Sequence, residues 1–215
     1  MKLVNEAKLS GQRVLLRVDF NVPVAADKVL DDTRIRSVLP TIRYLIDNQA
    51  RIIVIAHQGR PKGEGYEREY TLAPVAEALG GLLKQEVRLT HDVIGLQTIA
   101  DVQALKPGQV LMLENLRFDS REKLNDPEFA KALASLGDVY VNDAFAAAHR
   151  AHASIVGISE YLPSYAGFLL YRELETINRM LSRPERPFFA ILGGSKVSDK
   201  IKVIDKLIDV VDGLM

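Results

Sequence analysis

RVLLRV (Arg13–Val18) runs without a break into DFNVP (Asp19–Pro23). The first stretch has strand length and is rich in Val and Leu. The second is polar and closes on a proline. The same succession recurs down the chain. RIIVIA (Arg51–Ala56) leads into HQGRPKG, VLML (Val110–Leu113) into ENLRF, VYV (Val139–Val141) into NDAFAAAHRAHAS, and PFFAIL (Pro187–Leu192) into GGSKVSDK. EVRLT (Glu86–Thr90) is a weaker strand of the same kind. Runs apolar nearly throughout are what parallel strands buried on both faces require.

Helical patterns lie between these strands. Ile35, Val38, Leu39, Ile42, Leu45 and Ile46 fall on one helical face, with Pro40 inside the pattern as a candidate kink. Thr71 is placed to cap TLAPVAEALGGLL. Asp126 and Pro127 open DPEFAKALASL, and Gly137 follows its end. Alternating β and α segments predict an α/β fold, a parallel sheet with helices on both faces in a Rossmann-like three-layer α/β/α arrangement. A first domain is expected over residues 1–164. YAGFLLYRELETINRMLSR (Tyr165–Arg183) reads as a connecting helix, and RPERP breaks it, so 165–186 is helix and hinge. Residues 187–215 read as the first βα unit of a second α/β domain, incomplete because a lone βα unit cannot bury both faces of its strand.

Composition narrows the function. The 215 residues carry 28 Lys+Arg and 28 Asp+Glu, a balance that argues against nucleic acid as partner. The absence of cysteine removes disulfides, thiolate metal sites and a Cys nucleophile, and four His make a His-rich metal site a poor expectation. MKLVNEAKLSG has no apolar signal core, and no apolar run approaches the ~20 residues of a membrane span. A cytoplasmic protein, with no membrane partner, is expected.

In open α/β sheets ligands bind beyond the carboxyl ends of the strands. There the sequence places Asp19 and Asn21, then His57 and Arg60, then Asn115 and Arg117, then His149, Arg150 and His152, with Arg34 near the start of the first helix. Guanidinium forks match phosphate or carboxylate oxygens two at a time, each contact contributing ~1.5–3 kcal/mol. A cationic rim of Arg and charged His suits a small, highly charged anion. Each residue also has a plain structural reading. Asp19, Asn21 and Asn115 serve turns or caps, Gly59 permits a tight loop, and His149 and His152 would share a face if helical. LGGSKVSDK lacks both GxxxxGK[ST] and GxGxxG. It reads equally as a tight strand-to-helix turn or as a phosphate site made by a helix start with Lys196 and Lys200.

RVDFNVP, HQGRP, ENLRF, NDAF with AHRAH, and AILGGSKVSDKI resemble the motifs of the phosphoglycerate kinase family, in order and along the whole chain. The resemblance implies reversible phosphoryl transfer between ATP and 3-phosphoglycerate, giving 1,3-bisphosphoglycerate and ADP in glycolysis, with Mg²⁺ on the nucleotide. It implies that Asp19, Asn21, Arg34, His57, Arg60, Arg117 and Arg150 form the acid-substrate site. Arg60, Arg117 and Arg150, helped by His57, would hold the non-reacting phosphate. Arg34 would lie beside the reacting carboxylate and Lys196 would stabilise the transferred phosphoryl group. Gly193, Gly194, Lys196 and Lys200 would meet the nucleotide. A carboxylate is already a nucleophile, so positioning and charge stabilisation do most of the work.

Two departures stand out. Ala56 and Gln58 replace a Ser and a Leu common in the family, and Ala146 and Ala147 occupy what is often Gly-Thr, which predicts an altered loop. The family's chain normally continues through a second domain, so negligible turnover is expected from this chain alone. The family is typically monomeric, whereas uncovered apolar faces in Pro187–Met215 predict fraying or self-association. The alternative is a non-catalytic module that binds phosphorylated anions; an NAD-binding protein is disfavoured by the missing GxGxxG.

Overall fold

The structure, a computed structural model, describes residues 1–193 and 201–215. Its strands are β1 (Arg13–Arg17), β2 (Val24–Ala25), β3 (Lys28–Val29), β4 (Arg51–Ile55), β5 (Val87–Leu89), β6 (Val110–Met112), β7 (Val139–Asn142), β8 (Ser164–Ala166), β9 (Phe189–Ala190) and β10 (Gly213–Leu214). Its α-helices are α1 (Thr33–Asp47), α2 (Ala73–Leu83), α3 (Leu96–Ala104), α4 (Pro127–Ala134), α5 (Phe168–Ser182) and α6 (Ile201–Leu207). The chain divides into two compact units, Met1–Tyr171 and Arg172–Met215.

The first unit is built on a six-stranded sheet in the order β5-β6-β4-β1-β7-β8, parallel throughout. Register explains why its strands show no alternation in sequence. Leu15 pairs with Ile53 and Tyr140, and Ile53 with Leu111, and this row joins the core that contains Phe129 and Leu133 of α4. One residue on, Leu16, Val54, Met112 and Val141 point the other way, into the core that contains Ile35, Val38 and Ile42 of α1 and Val75 and Leu79 of α2. Because side chains alternate between faces, two apolar cores demand an unbroken apolar strand. Connections leave β1 toward β4 on one side and come back to β7 on its other side, and such a reversal opens a crevice at the carboxyl ends.

The local signals hold where a single residue sets the backbone. The Asp126 carboxylate accepts the N–H of Phe129 at 2.8 Å and Pro127 occupies the first turn of α4. α1 contains Pro40 and buries the predicted face, Ile46 only partly. Two readings are corrected. Thr71 does not cap α2. Leu72 is the cap residue, while the Thr71 hydroxyl accepts the Ala73 N–H at 3.2 Å and donates to Glu114. The helix expected from Tyr165 begins at Phe168, because Ser164–Ala166 extends the sheet as β8 beside β7. That pairing lies between segments far apart in sequence, so no local pattern announces it. The Asp143 carboxylate then accepts the Leu170 N–H at 3.0 Å as α5 starts.

In the second unit β9 and β10 pair in parallel, Phe189 with Gly213 and Ala190 with Leu214. The Asp212 carboxylate accepts the Phe188 N–H at 2.7 Å. α6 ends at Leu207, where the chain turns to reach β10. Phe189, Ile191, Ile201, Val203 and Ile208 are exposed. Among the described residues no helix is long and apolar enough to cross a membrane.

Candidate functional site

The loop after β1 is locked onto the loop after β4. Asn21 Oδ1 accepts the Gly59 N–H at 2.9 Å. Gln58 pairs with the backbone of Val22 at two points, Nε2 donating to the carbonyl at 2.7 Å and Oε1 accepting the N–H at 3.2 Å. Gly59 adopts φ +59°, and a Cβ there would lie 2.3 Å from the Tyr70 ring. Only glycine meets both demands.

The loop after β6 is held by Asn115, whose side chain is fully buried and fully satisfied. Its Nδ2 donates to the carbonyls of Gln58 and Tyr70, and its Oδ1 accepts the N–H groups of Gln58 and Arg117. Asn115 is therefore a clamp between two loops and not a ligand. Beside it, burial raises the Glu114 pKa against hydrogen bonds from Thr71, Asn115 and Leu72.

These clamps leave a cavity of about 350 Å³ lined by Asn21, His57, Gly59, Arg60, Pro61, Arg117, Lys123 and Arg150. Three guanidinium groups and one ammonium line it, and no carboxylate does. Arg117 Nη1 donates to the Gly59 carbonyl at 2.7 Å, while its buried Nε has no partner among the described residues. Burial and the charges of Arg150, Arg17 and Arg60 lower the Arg117 pKa, with Glu122 opposing. Such a cavity is built to receive negative charge.

Behind the cavity lies a buried polar chain. Arg17 is fully buried at the end of β1. Its Nη2 lies 3.0 Å from His57 Nδ1, its Nε donates to Ser154 Oγ at 2.9 Å, and its Nη1 donates to the Val18 carbonyl. Ser154 Oγ donates to Glu122 at 2.6 Å, and the Ser154 N–H donates to the other oxygen at 3.0 Å. Burial pushes the Glu122 pKa up, but His152, Arg17 and Ser154 outweigh it and hold the carboxyl below its usual range. The pKa of His57 is pushed down to about 2, by burial first and then by Arg17, Arg117, His152 and Arg150. His57 is thus neutral, which corrects its reading as one of the rim's charged groups.

The predicted rim is brought together only in part. Asn21, His57, Arg60, Arg117 and Arg150 converge on the cavity. Asp19 and Arg34 do not line it; they pair with each other at 2.7 Å, and Asp19 also accepts the Asn21 N–H. His149 is exposed, and His152 is buried with Nδ1 3.6 Å from Glu122, so the two share no face; the segment is a tight turn and not a helix. At Ala146 and Ala147 the backbone has no positive φ, and Ala147 packs with Ala144 and Ile155, so this loop does not depend on glycine's freedom. Gly193 has open space where a Cβ would stand, and Gly194, Lys196 and Lys200 lie outside the described residues. Among the described residues no group of His, Asp or Glu is placed to hold a metal ion.

Lys123 and Arg17 were missed. Lys123 follows the 3₁₀ turn Ser120–Glu122, away from any strand end. Arg17 carried a signal: an Arg inside a strand read as apolar on both faces must find partners, since an unpaired buried charge is costly.

Fold and cavity together define an α/β protein with a crevice lined by cationic side chains at the carboxyl ends of a parallel sheet. The family model for phosphoglycerate kinase matches residues 4–215. The phosphoglycerate kinase of Moorella thermoacetica is 57% identical across 99% of this chain and 54% of its own length, and that of Thermomicrobium roseum 54% identical across 100% and 55%. Among solved structures, phosphoglycerate kinase from Coxiella burnetii superposes with TM-score 0.87 at 41% identity, over 98% of this chain and 53% of its own. The Pyrococcus horikoshii enzyme gives 0.88 at 36%, over 100% and 54%. The chain belongs to the phosphoglycerate kinase family. It spans about half the length of the curated relatives it matches.

Proposed function

We propose that this chain serves reversible phosphoryl transfer between ATP and the carboxylate of 3-phosphoglycerate, a cytoplasmic step of glycolysis, and that it carries the acid-substrate half of the site. The observation that supports this is the cavity in which Arg60, Arg117, Arg150 and Lys123 meet with no carboxylate among them. A phosphate dianion there would meet several charge-assisted donors. Asn21, already fixed by Gly59, would orient the glycerate. Arg34, held by Asp19 at the same end of the sheet, would meet the reacting carboxylate. ATP would come as its Mg²⁺ complex, with Gly193, Gly194, Lys196 and Lys200 as its first contacts in this chain. Charge stabilisation at fixed positions is the main requirement of this chemistry.

The test is a calorimetric titration of the chain with 3-phosphoglycerate, with Arg60→Ala as comparison and inorganic phosphate as competitor. Saturable binding, weakened about ten- to hundredfold by the substitution, is expected. A folded chain that binds neither ligand rules the reading out.

A further inference from the structure

We propose that Arg17 is a positioning residue for the cavity: its guanidinium holds the His57 ring in the neutral form that carries its proton on Nε2, so that His57 meets the anion as an uncharged donor. The proposal rests on the cavity being the anion site described above.

The argument starts from donor capacity. A guanidinium has five N–H donors and no acceptor. Arg17 Nη2 lies 3.0 Å from His57 Nδ1, so the only hydrogen bond the two can form has Nδ1 as acceptor. An accepting Nδ1 carries no proton, and a neutral ring then has its proton on Nε2. Among the described residues Nε2 has no protein partner, and the ring lines the cavity. A protonated ring in this orientation would set an Nδ1–H against a guanidinium donor.

What holds Arg17 in place is equally specific. Its Nε is tied to Ser154 and its Nη1 to the Val18 carbonyl, leaving Nη2 for His57. The buried charge is balanced through Ser154 by Glu122, which is itself fully buried. Glu122, Ser154, Arg17 and His57 form one chain of hydrogen bonds ending at the cavity wall. The groups facing His57 are Arg17 from β1, Arg117 from the loop after β6, and Arg150 and His152 from the loop after β7. All are basic, so no neighbouring charge favours an imidazolium. A dianion surrounded by several fixed cations gains from a short neutral donor that adds no further repulsion among them.

The test is the ¹⁵N spectrum of the histidine rings in the ligand-free chain from pH 5 to 8. The expected result is a His57 Nδ1 at the unprotonated position and an Nε2 at the protonated position, both invariant with pH, with the exposed His91 ring as internal reference. Removing Arg17 and Glu122 together, as Arg17→Met with Glu122→Gln, leaves no unpaired buried charge and so favours a folded protein. In that variant His57 should populate both tautomers with His91 unchanged. A role confined to stability would lower the melting temperature and leave the tautomer alone. A wild-type Nδ1 that carries a proton, or a His57 that titrates between pH 5 and 8, overturns the proposal without any variant. Adding 3-phosphoglycerate separates the two readings. A shift at Nε2 is expected. No shift from a correctly fixed ring overturns the anion reading and reduces the Arg17 contact to a structural one.

Discussion

Asn21 Oδ1 accepts the backbone N–H of Gly59 at 2.9 Å, and so joins the loop after the first strand to the loop after the fourth. The other face of the same peptide region is held by Arg117, which donates to the Gly59 carbonyl. One glycine therefore receives a contact from each of two loops that line the cavity. The cavity wall depends on the backbone at this point as much as on its charged side chains.

Gly59→Ala should damage the site more than any surface change nearby. The new Cβ would sit 2.3 Å from the Tyr70 ring, at φ +59°. Strain of about 1–3 kcal/mol is expected, with 3-phosphoglycerate affinity lost by tenfold or more. Adding Tyr70→Ala relieves the clash but not the dihedral, so only part of the loss should return. Full recovery in the double variant, measured by calorimetry, would show that φ is unimportant here.

Gln58→Leu restores a residue common in the family and removes both bonds to Val22. The Val22 N–H has a second acceptor in the Phe20 carbonyl, so a moderate cost of about 1–2 kcal/mol is expected. For a unit of this size that is a melting temperature lower by roughly 2–8 °C. An unchanged melting curve would mean that leucine packing replaces the amide pair.

Asn115→Ala and Arg60→Ala should separate structure from binding. Asn115 is fully buried with four hydrogen bonds, so its loss should cost about 2–4 kcal/mol in a urea titration. Arg60 is exposed, and its loss should change stability by less than about 0.5 kcal/mol while weakening the ligand. If Arg60→Ala unfolds as easily as Asn115→Ala, Arg60 is a structural residue.

Acid should destabilise the first unit earlier than its carboxylates alone would. The folded His57 pKa is down at about 2, against an unfolded value of about 6.5. Between these values the unfolded chain binds a proton that the folded chain refuses. Stability from this group is fully present above about 6.5 and falls by about 1.4 kcal/mol per unit as pH drops below it. Urea midpoints at pH 7, 6 and 5 should show this slope, and His57→Gln should flatten it. Equal slopes in the two proteins would contradict a buried neutral His57. Glu122, held below its usual range, adds a loss of the same sign at lower pH.

Several elements were legible because a local cause sets them. Asp126 with Pro127 starts a helix wherever it stands, and a strand with two buried faces is apolar at every position. β8 and the Leu72 cap were not legible, because each depends on a partner far away: β7 for Ser164–Ala166, and Glu114 for the Thr71 hydroxyl. The cavity shows the same division. Arg60, Arg117 and Arg150 follow strands and were found by that rule, whereas Lys123 follows a turn and reaches the cavity only through the path of the chain.

The sequence by itself determined the parallel sheet, its order of strands and loops along the chain, and the five motifs that place it in its family. Those properties follow from residue type and spacing, which act over a few positions. Tertiary structure alone decided which polar groups line the cavity and which are tied up in supporting it. Asn115 became a clamp, Asp19 and Arg34 became a pair, and His57 lost its charge to burial and to Arg17 forty positions away. Protonation and hydrogen-bond role depend on solvent exposure and on neighbours in space, and neither quantity exists until the chain has folded.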